Sequence, residues 1–261
     1  MRALITGGSS GMGLEYASQL AARGCDLVIV SNREEELQDA AEKLRARCGV
    51  EVLPHFQDLA AWDAADQLYD FCARQGLKVD ILVLNAGFFF FKELQAADCN
   101  LASSMIGLHV NTNTRMCLLF GEEMKKARDG HIIIMSSMTA DIPAPGITVY
   151  SATKAYLKSF GKSLSYEMKP YGVSVTTVLP AAIATPLYRL SEKQLRTGLK
   201  TGLIRTPQSL VRRALKGMDR RRKTVRPGFM NYSLPALISL TPNPVIDRLW
   251  KKLISLRLDK I

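Results

Sequence analysis

Long apolar runs are missing from this chain. No stretch reaches the roughly 18 uninterrupted apolar residues that a membrane-spanning helix needs. Histidine is scarce, at three residues, and the five cysteines (Cys25, Cys48, Cys72, Cys99 and Cys117) are scattered. They form no C-x-x-C pair and their number is odd, so neither a disulfide framework nor a structural zinc site is expected. No metal site is expected elsewhere. Internal repeats and low-complexity segments are also lacking, which sets aside solenoids and disordered linkers. Arg2-Ala3-Leu4-Ile5 runs straight into a glycine-rich turn and reads as a first strand, not as a leader. The expected setting is reducing and cytoplasmic.

Acidic residues are depleted in one region only. Residues 187–261 hold 18 Lys/Arg against 4 Asp/Glu, a charge of +14, whereas residues 1–186 sum to −3 and the whole chain to +11. A near-neutral body with a basic C-terminal quarter calls for an anionic partner of that quarter: membrane lipid, nucleic acid or an acidic substrate group. No nucleic-acid-binding module is visible, and nucleic acid is not the expected partner. The 261 residues, 47% hydrophobic and 23% charged, suffice for one large α/β domain.

What is present is an alternation of short apolar runs and amphipathic stretches. Ala3–Ile5, Asp26–Val30, Glu51–Phe56, Asp80–Leu84, His131–Met135 and Val173–Val178 read as six strands. Helical patterns separate them, including a long one over roughly Leu101–Lys126 and another over Tyr150–Lys169. Near-continuous apolar strands between amphipathic helices predict a parallel sheet covered on both faces, a doubly wound dinucleotide-binding fold. A single domain is expected over 1–261, with a substrate loop and a helical, basic extension from about residue 187.

Two groups of residues carry chemistry. Thr6-Gly7-Gly8-Ser9-Ser10-Gly11-Met12-Gly13 lies between a strand and a helix, where glycine lets the backbone approach a pyrophosphate and the helix start offers amides and a positive dipole end. Tyr150 and Lys154 are i and i+4 on one helix, so they face the same way. An ammonium beside a phenol lowers the phenol's usual pKa of about 10 and makes proton exchange feasible near neutrality. Ser137 follows the C-terminal end of a strand, where open α/β sheets hold ligands, and its hydroxyl can bond an oxygen that gains charge.

These pieces, together with Asp58, Asn85-Ala86-Gly87, Asn111 and Pro180, resemble a short-chain dehydrogenase/reductase with a Rossmann fold over about residues 1–186. The resemblance implies an active-site tetrad of Asn111, Ser137, Tyr150 and Lys154. It implies that Asp58 lies near the adenine, that Lys154 also holds the nicotinamide ribose, and that Asn111 supports a water-mediated proton relay. Ile183 and Thr185 are implied cofactor contacts, with Thr185 at the nicotinamide carboxamide. The chain departs from the family at Pro180-Ala181, where Pro-Gly is usual. A homodimer or homotetramer is implied, with 101–126 and 150–169 as interface helices.

The second strand ends in Ser31-Asn32-Arg33, without the acid that bonds the ribose hydroxyls of NAD, and Arg33 can pair with a 2′-phosphate. NADP(H) is therefore the expected cofactor, although the family's commonest NADP arginine falls where Asn32 stands. Downstream, Arg212 to Arg226 reads as a basic helix, Phe229–Leu240 as an apolar, aromatic stretch, and 245–261 as a basic amphipathic helix bearing Trp250. Such a helix either lies on a membrane surface or packs on the body. With the run Phe88-Phe89-Phe90-Phe91, which fits an apolar pocket, core or interface equally, the tail resembles the branch that reduces 3-keto groups on long chains. The expected reaction is NADPH-dependent reduction of a hydrophobic ketone to a secondary alcohol, with 3-ketodihydrosphingosine the first candidate. A 3-ketoacyl reductase, a hydroxysteroid dehydrogenase and a non-catalytic NADP-binding regulator are the alternatives.

Overall fold

The computed structural model describes residues 1–181, 205–228, 230–248 and 251. Seven strands are ordered β3-β2-β1-β4-β5-β6-β7 in one sheet: β1 (Arg2–Thr6), β2 (Asp26–Ser31), β3 (Val52–Phe56), β4 (Ile81–Leu84), β5 (Gly130–Met135), β6 (Val173–Val178) and β7 (Thr224–Val225). Every neighbouring pair is parallel. The helices are α1 (Gly11–Ala21), α2 (Glu34–Cys48), α3 (Ala64–Arg74), α4 (Cys99–Ile106), α5 (Asn113–Ala127), α6 (Thr148–Met168), α7 (Pro207–Asp219) and α8 (Met230–Leu240).

Strands β1, β2, β4 and β5 are apolar on consecutive residues because both faces are covered. Ala3 and Ile5 of β1, with Leu27 and Ile29 of β2, enter one core with Tyr16, Leu20, Leu37 and Leu215. The alternate residues Leu4, Val28 and Val30 enter the other, with Leu68, Phe120, Leu157 and Leu164. Pro54 lacks an amide to donate and is tolerated in β3 because β3 is an edge. Helix α2 follows local rules closely. Glu34, Glu35 and Glu36 open it, Arg45 and Arg47 close it, and Gly49 caps it in the left-handed conformation.

Strand order reverses around β1, which has β2 on one side and β4 on the other. Ligands of open α/β sheets bind beyond the strand ends at such a switch. The turns after β1 and β4 are the glycine-rich turn and Asn85-Ala86-Gly87, so the topology alone brings these two motifs together.

Two expectations change. The long helix over 101–126 is α4 and α5 joined by a π-helical segment, Gly107–Thr112. The basic helix ends at Asp219, and the chain then turns through Arg221 (φ 50°) into β7. The cause is the open side of β6: Thr177 N donates to Lys223 O and Leu179 N to Val225 O. The apolar stretch is helical as α8, with Pro235 inside it. Ile183, Thr185, the substrate loop 187–203 and most of 245–261 lie outside the described residues. Of the last stretch, residues up to 248 and residue 251 are helical. Among the described residues no helix is long and apolar enough to cross a membrane.

Candidate active site

The floor of the crevice is a hydrogen-bonded knot between the ends of β1 and β4. Thr6 Oγ1 accepts from the Asn85 and Ala86 amides, both at 2.9 Å, and the Asn85 side-chain amide donates to Thr6 O at 3.0 Å. Gly7 above it has φ +65°, a conformation a side chain resists. Gly13 is required for a different reason. A Cβ there would stand 1.9 Å from Gly7 O, so only glycine lets α1 approach the turn. Ser10, the N-cap of α1, makes no side-chain capping bond. The first amides of α1 and its positive dipole end remain for a ligand's phosphates.

A cleft of about 1390 Å³ spreads from this knot. Gly7, Ser9, Ser10, Gly11 and Met12 line it first, then Ser31, Asn32, Arg33 and Asp58, then Asn85, Ala86 and Gly87, and finally Tyr150, Lys154 and Pro180. Fifteen separate expectations thus meet around one space. Gly13, Asn111 and Ser137 are not among the lining residues, whereas Phe88 to Phe91 and Leu108 are. The volume exceeds that of drug-sized pockets, up to about 1000 Å³, and suits a dinucleotide with a substrate beside it. Ser9 and Ser31 share a hydrogen bond of 2.8 Å between their hydroxyls, and the Arg33 amide donates to Ser31 Oγ at 3.2 Å. The Arg33 guanidinium forks onto Glu36 at 3.0 and 3.2 Å. The Asp58 carboxylate accepts from the Ala60 amide at 3.0 Å.

At the other end, α6 carries Tyr150 and Lys154 one turn apart, with Nζ 5.4 Å from the phenol ring centre. Lys154 is only 4% exposed. Its Nζ donates to Met135 O at 2.8 Å, and its own carbonyl accepts from Ser136 Oγ at 2.7 Å, so the end of β5 holds it at both places. Burial pushes the ammonium down from 10.5 to about 7. Ser137 is buried, and its Oγ accepts from both the amide and the hydroxyl of Thr139, at 3.2 and 3.0 Å.

Asn111 sits in the π-helical segment and its side-chain amide donates to Trp62 O at 2.8 Å. The residue of that segment that meets Tyr150 is His109, which the sequence did not single out. Its ring centre lies 5.8 Å from that of Tyr150 at 75°, and its Nδ1 is 2.9 Å from Thr153 Oγ1. Burial first, and the Lys154 charge second, push its pKa well below the ordinary histidine value. The phenylalanine run divides its tasks. Phe88 packs beside the α3–α5–α6 core, Phe89 lies 5.6 Å from the Tyr150 ring, and Phe91 meets Gly146 so closely that a Cβ there would stand 2.7 Å from it. Asp141, just beyond Ser137, forms ion pairs with Lys158 of α6 and with Arg226. Among the described residues no cluster of His, Cys, Asp and Glu is placed to hold a metal.

A doubly wound α/β sheet, with a glycine-turn cleft leading to a tyrosine–lysine pair at its switch point, defines an oxidoreductase of the nucleotide-binding class. The chain belongs to the short chain dehydrogenase family, whose model matches residues 1–196. It is 29% identical over 249 residues to a very-long-chain 3-oxoacyl-CoA reductase of Macaca fascicularis, covering 91% of this chain and 77% of that one. It is 31% identical over 198 residues to a 17-beta-hydroxysteroid dehydrogenase type 3 of Mus musculus, covering 75% and 64%. A short-chain dehydrogenase from Sphingobium yanoikuyae, solved in complex with NADPH, superposes with a TM-score of 0.77 at 28% identity over 93% of this chain and 96% of that one.

Proposed function

We propose that the protein reduces the 3-keto group of a long-chain lipid with NADPH, and that Tyr150 gives the proton. The observation that carries the reading is the convergence of the glycine turn and the Tyr150–Lys154 pair on one cleft. The residues present fit the cofactor: the close approach at Gly13 and the uncapped start of α1 suit a pyrophosphate, and no acid stands at Ser31-Asn32-Arg33. Bound NADPH supplies the hydride. Arg33, now held by Glu36, exchanges that partner for a 2′-phosphate. By the family resemblance, Asp58 would meet the adenine, and Ile183 and Thr185 would hold the nicotinamide.

The chain's own residues do the rest. At and below about pH 7, where buried Lys154 carries its proton, the ammonium favours the Tyr150 phenolate, so the phenol releases its proton to the substrate oxygen at low cost. Ser137 already accepts two hydrogen bonds, which leaves its own proton for that oxygen. Asn111, tied to Trp62 O, anchors the π-helical segment and with it the relay on the Lys154 side.

The substrate class rests on Phe89 against Tyr150 and on similarity to enzymes named for 3-oxoacyl-CoA and 17-beta-hydroxysteroid chemistry. A 3-oxoacyl thioester and 3-ketodihydrosphingosine share the required group. The basic region 187–261 then rests on anionic lipid, and exposed Leu101, Ile106, Leu118, Tyr156 and Tyr166 form the contact between subunits. The deciding experiment follows NADPH oxidation with a long-chain 3-oxoacyl-CoA and with 3-ketodihydrosphingosine in mixed micelles, using wild type and Tyr150→Phe. Turnover that falls at least about 100-fold in the variant, with NADPH binding retained, is expected. Turnover confined to steroid ketones would overturn the substrate class. Undiminished turnover by Tyr150→Phe would overturn the mechanism.

A further inference from the structure

His109 is wholly buried, titratable, and unused by the chemistry above. Its surroundings fix its state. Thr153 has one hydroxyl proton and donates it to the carbonyl of Tyr150 at 2.8 Å. The 2.9 Å contact between Thr153 Oγ1 and His109 Nδ1 is therefore a bond in which the histidine donates. The ring is then the Nδ1–H tautomer, neutral, with a bare lone pair on Nε2. Among the described residues Nε2 has no hydrogen-bond partner. Gly87 leaves it room, since a Cβ at that position would stand 2.8 Å from Nε2.

A buried acceptor without a partner is costly, and phenylalanine or leucine would fill this place without that cost. The structure keeps the imidazole nonetheless, and what it gains is the chain His109 Nδ1–H to Thr153 Oγ1–H to Tyr150 O. That chain fixes the first turn of α6 at the residue that must point its phenol at the substrate. The imidazole also packs edge-on to the Tyr150 ring, while Phe89 approaches it at 5.6 Å.

We propose that His109 is a positioning residue for Tyr150, acting through Thr153. This rests on the reading of Tyr150 as the proton donor. In the absence of the His109–Thr153 bond the phenol swings relative to Lys154 Nζ, and both its ionisation and its aim suffer. His109→Phe keeps a ring in the space and removes only the bond. Thr153→Val removes the same bond from its other end, and Thr153→Ser restores it.

The test is an ultraviolet titration of the NADP⁺-saturated protein, in which the difference between each protein and its Tyr150→Phe counterpart isolates one phenol. Turnover of long-chain 3-oxoacyl-CoA is measured in parallel. Relative to wild type, His109→Phe and Thr153→Val are each expected to raise the Tyr150 midpoint by about one pH unit and to lower kcat about tenfold. The KM for NADPH stays within about twofold, the double variant loses no more than either single one, and Thr153→Ser behaves as wild type. A wild-type midpoint and kcat in both single variants would overturn the role of His109 and leave Tyr150 as donor. So would losses that simply add in the double variant. Failure of Tyr150→Phe to alter either the titration or the turnover would instead remove the underlying reading.

Discussion

Replacing Lys154 by methionine is expected to make the cofactor-free protein more stable while abolishing its activity. Met fills a similar volume without a charge, and Lys154 is a buried cation whose pKa falls from 10.5 to about 7. At ~1.4 kcal/mol per tenfold, holding that ammonium charged at pH 6.5 costs about 5 kcal/mol. Loss of the bond from Nζ to Met135 O takes back about 1 kcal/mol. A net gain of about 3–4 kcal/mol remains. The pH dependence follows from proton counting. Between about pH 7 and 10.5 the unfolded lysine is protonated and the folded one is not, so wild-type stability rises with pH by ~1.4 kcal/mol per unit from this group. The variant lacks that rise. Urea unfolding at pH 6.5 and pH 9 is the assay, and the variant's advantage should shrink by roughly 3 kcal/mol between them. Groups beyond the reach of the Lys154 charge are common to both proteins and cancel, and His109, whose pKa burial holds below the ordinary histidine value, stays neutral at both pH values. Parallel stability curves, or a methionine variant less stable at pH 6.5, would refute the reasoning.

Gly13→Ala is expected to raise the Kd for NADPH at least about tenfold and to lower Tm by several degrees, as the Cβ forces α1 away from Gly7 O; calorimetry with and without NADPH measures both. Glu36→Gln frees Arg33 and should lower the KM for NADPH but not that for NADH, whereas Arg33→Ala should raise the former about tenfold or more. Asp141→Asn breaks two ion pairs at a nearly buried carboxylate and should cost about 2–4 kcal/mol at neutral pH. Burial alone would raise the Asp141 pKa, but the bonds from Lys158 and Arg226 outweigh it and hold it below the usual carboxylate range. Its contribution is complete above about pH 4 and is lost as pH falls through the lowered value. The gap between wild type and Asp141→Asn should therefore close in acid.

Much of this arrangement is legible in the sequence because the responsible interactions are local or strictly periodic. Apolar runs such as Asp26–Val30 suit a strand buried on both faces, and Tyr150 and Lys154 meet by helical spacing alone. The glycine turn shows itself through residues that few other conformations need. What stays hidden depends on distant partners. Thr224-Val225 lies beside a run of four basic residues and continues a helical pattern; it is a strand because β6 has amides to satisfy there. His109 looks like a stray polar residue in an apolar helix. Its place against Tyr150 requires a π-helical segment, and a periodicity of 3.6 residues cannot reveal a local widening of the turn. Phe88 to Phe91 are four identical letters, yet they divide between core, Tyr150 and Gly146.

The reversal of strand order also sets a timetable for synthesis. The central strand β1 is completed on its second side only by β4, and Arg2 N waits for Asp80, 78 residues further along, to accept its hydrogen bond. At about 5–20 residues per second, a ribosome takes roughly 4–16 s to supply that partner. Throughout that interval a strand buried at four of its five residues has one bare backbone edge, the kind of edge that pairs with other chains. The growing polypeptide is thus most prone to aggregation before its active-site half exists, and a holding chaperone would matter most for the first 80 residues.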